Sequence, residues 1–100
     1  MCCFVTPHAM ERFRTFVANI PDELIILFCK SQINKHHQII GIQMYDHQAQ
    51  PIYLLDYNDK AFYVPLRKQP GRLWPIIPTI LRDPPRGLRR WRGERWQWYV

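Results

Sequence analysis

The sequence predicts an α+β domain: two N-terminal helices packed on one face of a four-stranded antiparallel sheet, with a basic aromatic segment at the C-terminal end. Three observations point there. Apolar residues recur at helical spacing through the first third of the chain, the rhythm changes to simple alternation after Asn34, and turn residues then punctuate the alternating stretch at short intervals. A chain of 100 residues supports one core, and 47 % hydrophobic with 14 % aromatic residues is the composition of a folded protein rather than a disordered one.

Phe4 and Val5 open as a short strand. Thr6 and Pro7 then start a helix, because a threonine oxygen caps free amides and proline lacks only an N–H that the first helical position does not use. Ala9, Met10, Phe13, Phe16, Val17 and Ile20 fall on one side of it, with His8, Glu11, Arg12 and Thr15 on the other. Pro21, Asp22 and Glu23 read as the first turn of a second helix, since carboxylates favour the positive end of the helix dipole. Leu24 to Phe28 and Ile33 are apolar nearly all round, which suggests a buried helix. Periodicity alone leaves a buried strand open over Leu24–Phe28.

Beyond Asn34, HQIIGIQMY and PIYLLDY alternate as two strands joined through DHQAQ. Asn58 and Asp59 suit a tight turn because both side-chain types tolerate a left-handed backbone. KAFYVPLRK forms the third strand. QPGR follows as a turn with Pro70 and Gly71 at its centre, and LWPIIPTIL is the expected fourth strand. Pro75 and Pro78 remove donors from that strand, so it should be an edge, irregular, or both. Asp83-Pro84-Pro85 ends the strand. Residues 1–81 therefore read as the α+β domain, and residues 82–100 as an Arg/Trp-rich segment packed partly on it.

Charge is concentrated late in the chain. Six arginines against Asp83 and Glu94 place four of the six net positive charges in the last nineteen residues, a field that attracts phosphate polymers, anionic surfaces or an acidic protein. Cys2, Cys3 and Cys29 form no CxxC pair and suggest a reducing, cytoplasmic setting. No apolar run approaches the length of a membrane span. Neither cofactor nor metal is expected, because no Gly-rich phosphate loop occurs and His36, His37 and His47 have no ligand-like spacing.

Four groups could carry chemistry. His8, with Glu11 and Arg12 within a turn, combines a proton carrier, an orienting carboxylate and a phosphate-binding guanidinium; the same residues also suit an ordinary solvated helix face. Tyr63, Pro65 and Arg67 share one face of the third strand, while Phe62, Val64 and Leu66 share the other and should meet the helices. Lys68 and Arg72 flank the following turn. In the tail, Arg89, Arg90, Trp91, Arg92, Arg95 and Trp96 interleave cations with indoles, which suits a phosphate backbone and stacked bases. The tryptophans would serve equally to complete a small core.

With TPHAMERFRTF opening the first helix and a helices-then-sheet order, the chain resembles the small toxin nucleases of the RelE/ParE type and the wider barnase-like group. That resemblance implies RNA cleavage or ribosome binding, catalytic groups on the sheet and an acidic antitoxin partner. It carries over to His8 and Arg12 by motif and to Arg67 by region, as the catalytic set. The expectation is a small basic RNA-binding protein acting as a metal-independent endoribonuclease of toxin type, with His8, Arg12 and Arg67 meeting in one anion-attracting cleft. The leading alternative is a non-catalytic phage-type inhibitor or adaptor that binds a host protein or a nucleic-acid-binding groove, and a third reading is a binding module for single strands without chemistry.

Overall fold

A computed structural model describes residues 3–33 and 39–90. Its elements are β1 (Phe4–Val5), α1 (Pro7–Phe16), α2 (Asp22–Ile33), β2 (Ile39–Tyr45), β3 (Gln48–Tyr57), β4 (Lys60–Pro65), β5 (Ile76–Ile77) and β6 (Arg89–Arg90). The class is α+β, as the change of rhythm at Asn34 predicts.

Thr6 caps α1 by accepting the Ala9 N–H at 3.1 Å. Its hydroxyl also donates toward the Ile77 and Pro78 carbonyls, at 2.9 and 3.2 Å. One side chain thus starts the helix and pins it to β5. Ala9 and Phe13 are buried, and the Phe13 ring meets Phe62 nearly edge-on at 5.5 Å and 83° and Tyr57 at 5.8 Å and 72°, an arrangement that ring quadrupoles favour. The helix stops at Phe16, before the apolar periodicity does at Ile20; the Val17 and Ala18 N–H groups both bond to the Phe13 carbonyl, at 2.8 and 3.1 Å, and close the last turn. Pro21 itself lies outside α2, where its carbonyl receives the Leu24 and Ile25 N–H groups at 3.0 and 3.2 Å. Arg14 closes the corner between the helices with an ion pair to Asp22.

The second helix corrects an expectation. It is not buried all round: Ile25, Cys29 and Ile33 form the one buried stripe, while Leu27 is 66 % exposed. A helix lying on one layer of sheet has that layer to bury a stripe against, so the rest of its apolar surface stays in solvent.

The main sheet runs β4-β3-β2-β6. Its hairpins are two-residue loops, Asp46–His47 and Asn58–Asp59, with φ of 49° and 62° and of 49° and 66°, the left-handed pairs that match strand twist. The DHQAQ connection is therefore shorter than expected, for Gln48, Ala49 and Gln50 belong to β3. Pro51 then lies in a central strand, where a missing donor ordinarily costs a ladder bond. Its carbonyl still accepts the Leu66 N–H at 3.0 Å, and the lost donor falls where β4 is already ending at Pro65.

LWPIIPTIL is the second correction. Only Ile76–Ile77 is strand, and it pairs in parallel with β1 (Phe4↔Ile76, Val5↔Ile77). The segment is irregular as expected, yet it is no edge: reciprocal bonds of 2.8–2.9 Å join Arg67 to Ile76 and Tyr63 to Leu81, so it lies between β4 and β1. Pro65 and Pro78, lacking N–H groups, fall between those two bridges and keep the ladder from closing. The fourth strand of the main sheet is instead Arg89–Arg90, antiparallel to β2 with Gly41↔Arg90 and Ile42↔Arg89. Glycine is required opposite it. A Cβ on Gly41 would stand 2.3 Å from the Arg89 carbonyl oxygen and 2.7 Å from Leu88 Cδ1.

Candidate nucleic-acid interface

Alternation divides the strands between two faces. Phe62, Val64 and Leu66 are buried on the side where Phe62 meets Phe13, as expected from their spacing. The opposite side carries Gln43 and Tyr45 from β2, Gln50 and Ile52 from β3, and Tyr63, Pro65 and Arg67 from β4 and its continuation, since the register sets Gln43 against Gln50 and Ile52 against Pro65. That face differs from the expected solvated surface. Ile52 and Pro65 are fully buried and Gln50 is 3 % exposed, and Leu88, brought over Gly41 by β6, contributes to the cover.

A line of hydrogen bonds crosses this face. Arg67 Nε donates to Gln50 Oε1 at 3.2 Å, Gln50 Nε2 donates to Gln43 Oε1 at 3.1 Å, and Gln43 Nε2 donates to the Arg86 carbonyl at 2.8 Å. Each amide thus both gives and accepts, which is what allows Gln50 to be buried without a desolvation penalty. The Arg67 guanidinium carbon lies 3.7 Å from the centroid of the Tyr45 ring, and Tyr45 is 48 % exposed. A neutral acceptor and a ring hold the guanidinium, and among the described residues no carboxylate pairs with it. Among these residues its charge is positioned but not neutralised. Arg86 stands exposed where the line ends, whereas Arg89, set opposite Ile42, points to the helix side.

The expected catalytic set is not brought together. His8 is exposed on α1. Arg12 donates from Nε to the Ile80 carbonyl at 3.3 Å and lies 4.2 Å over the Phe16 ring, with Arg82 approaching the same ring at 5.4 Å. These groups belong to the helix side. Arg67 follows the helix-facing Leu66 by one residue and so points to the other face, with the sheet between. Lys68 is half-buried and Arg72 exposed; Arg72 lines a pocket with Lys30 of α2, apart from the Tyr45 stack. Trp91, Arg92, Arg95 and Trp96 lie outside the described residues, as do His36 and His37. Among the described residues no three His, Cys, Asp or Glu side chains converge as metal ligands, and no helix is long and apolar enough to cross a membrane.

Sequence reasoning overlooked Gln43, Tyr45 and Gln50. The signal was present in Asp46–His47: had these been read as a two-residue turn, the register would have set Gln43 opposite Gln50. Compared with known proteins, the chain matches no family model, no curated protein and no solved structure.

Proposed function

We propose that this protein binds single-stranded RNA at the exposed Tyr45–Arg67 stack, on the sheet side opposite its helices and outside the covered Gln50, Ile52 and Pro65. The observation that carries this reading is an arginine held over a half-exposed tyrosine, its charge unpaired among the described residues, with the exposed Arg86 at the far end of the same line of hydrogen bonds. A ring offers a base a stacking platform, and guanidinium groups follow the phosphates. The net charge of +6 draws a polyanion toward that surface. Binding without cleavage is the form of the proposal. A metal-independent ribonuclease needs a proton acceptor within hydrogen-bond reach of the 2′-hydroxyl while cations hold the same phosphate, and His8 and Arg67 stand on opposite sides of the sheet. The likeness to toxin nucleases then extends to layout and charge rather than to a reaction.

Fluorescence anisotropy with a labelled oligouridine tests it. Affinity should fall with salt at a slope of about 0.7 per phosphate neutralised, Tyr45→Ala should cost about 1–3 kcal/mol, and Arg67→Ala should lower both affinity and slope. Binding that ignores salt and both substitutions defeats the proposal. On a gel without divalent metal the RNA should stay intact; cleavage that His8→Ala abolishes would restore the toxin-type reading.

A further inference from the structure

A second surface, on the helix side, has a different chemistry. A pocket of about 740 Å³ opens between β1, the last turns of α2 and the loop leading to β5, lined in part by Phe4, Lys30, Arg72, Leu73, Trp74 and Ile76. Its anchors are large and uncovered: Phe4 is 56 %, Leu73 84 % and Trp74 43 % exposed. Single exposed apolar residues need no explanation, but three of this size around one concavity mark an interaction site.

The backbone that carries the anchors is tied at both ends before any partner arrives. Gly71 at φ 74° and the Arg72 N–H bond to the Gln69 carbonyl, at 3.2 Å, close the Pro70–Gly71 turn and aim Arg72, Leu73 and Trp74. At the other end of the loop the Phe4 N–H donates to the Pro75 carbonyl at 2.9 Å, locking Phe4 beside Trp74. A preorganised loop loses little entropy on binding. Tryptophan and arginine are also the residue types that most often dominate binding energy.

Charge selects the occupant. None of the residues lining the pocket is acidic, whereas Lys30 and Arg72 are cationic, and the exposed Arg72 side chain makes no ion pair among the described residues. A second copy of a chain carrying +6 would be repelled. We infer that this pocket docks an acidic peptide segment of another protein, one that inserts a bulky apolar side chain between Phe4, Leu73 and Trp74 and sets an Asp or Glu carboxylate against Arg72. The arrangement explains why leucine and tryptophan are left in water next to a guanidinium. It is independent of RNA binding at Tyr45 and Arg67, which lie on the other face.

The test is a selection of random hexapeptides displayed on phage against the purified full chain, followed by anisotropy with the winning peptide. The expected winners pair Leu, Phe or Trp with Asp or Glu, and replacing their acids by Lys should weaken binding about tenfold or more. Arg72→Glu and Leu73→Asp should each remove binding while Arg67→Ala leaves it unchanged. Both altered residues are exposed loop positions, and an unchanged thermal midpoint verifies folding. No enrichment, enrichment of neutral or basic peptides, or binding that survives both pocket substitutions would overturn the inference.

Discussion

On the helix side of β3 and β4, Leu55, Phe62 and Val64 are buried against α1 and α2 by side chains that offer only shape and apolar area. One residue further along the same strands, the other face buries Gln50 in a line of hydrogen bonds running from Arg67 to the Arg86 carbonyl. The first face is stabilised by non-directional burial, which accepts any apolar group of suitable size. The second depends on direction, because each amide must find both a donor and an acceptor. The two faces should therefore fail differently when altered. Damage to the apolar face should lower stability alone, and damage to the polar face should also change what the molecule binds.

The largest effect should come from the apolar face. Phe62→Ala removes a fully buried ring that meets Phe13 at 5.5 Å and should cost about 3–5 kcal/mol in urea unfolding; a loss below ~1 kcal/mol would mean that this face is not the main core. Gly41→Ala comes next, at about 1–3 kcal/mol, because its methyl meets the Arg89 carbonyl and Leu88. Faster amide exchange at Ile42 should accompany it, reporting that β6 has detached. Gln50→Ala should cost about 1–3 kcal/mol by leaving Gln43 Oε1 without its donor and Arg67 Nε without its acceptor. It should also weaken oligouridine binding, which Phe62→Ala should not do under folding conditions. An unchanged affinity would separate the polar line from the binding surface. Thr6→Ala should lose about 1 kcal/mol as a helix cap, with any excess measuring its bonds to Ile77 and Pro78. Smallest of all, Leu27→Ser on the exposed side of α2 should stay within about 0.5 kcal/mol of the parent.

Features that depend on near neighbours were legible in the residues. Thr6-Pro7 marked the start of α1, Asn58–Asp59 and Pro70–Gly71 marked turns that the backbone adopts, and Phe62, Val64 and Leu66 named the helix-facing side of β4. Each is a matter of cap chemistry, permitted φ or a period of two, which operate within a few residues. The polar line was harder to see because glutamines at 43 and 50 read as ordinary solvent-facing positions until a register sets them opposite one another. The Tyr45–Arg67 stack joins β2 to the continuation of β4 across the intervening β3, beyond the reach of any local pattern.

Composition, periodicity and turn chemistry were thus enough to establish the α+β class, the order of helices and hairpins, and the positive charge that any partner must meet. Tertiary packing decided the rest. It chose which apolar stripe of α2 is covered, recruited Arg89–Arg90 as a strand beside Gly41, inserted β5 between β4 and β1, and put the sheet between His8 and Arg67. Those outcomes follow from pairings between segments far apart in the chain, such as Thr6 with Ile77 across 71 positions, and a local pattern cannot encode which distant backbone will supply the missing donor or acceptor.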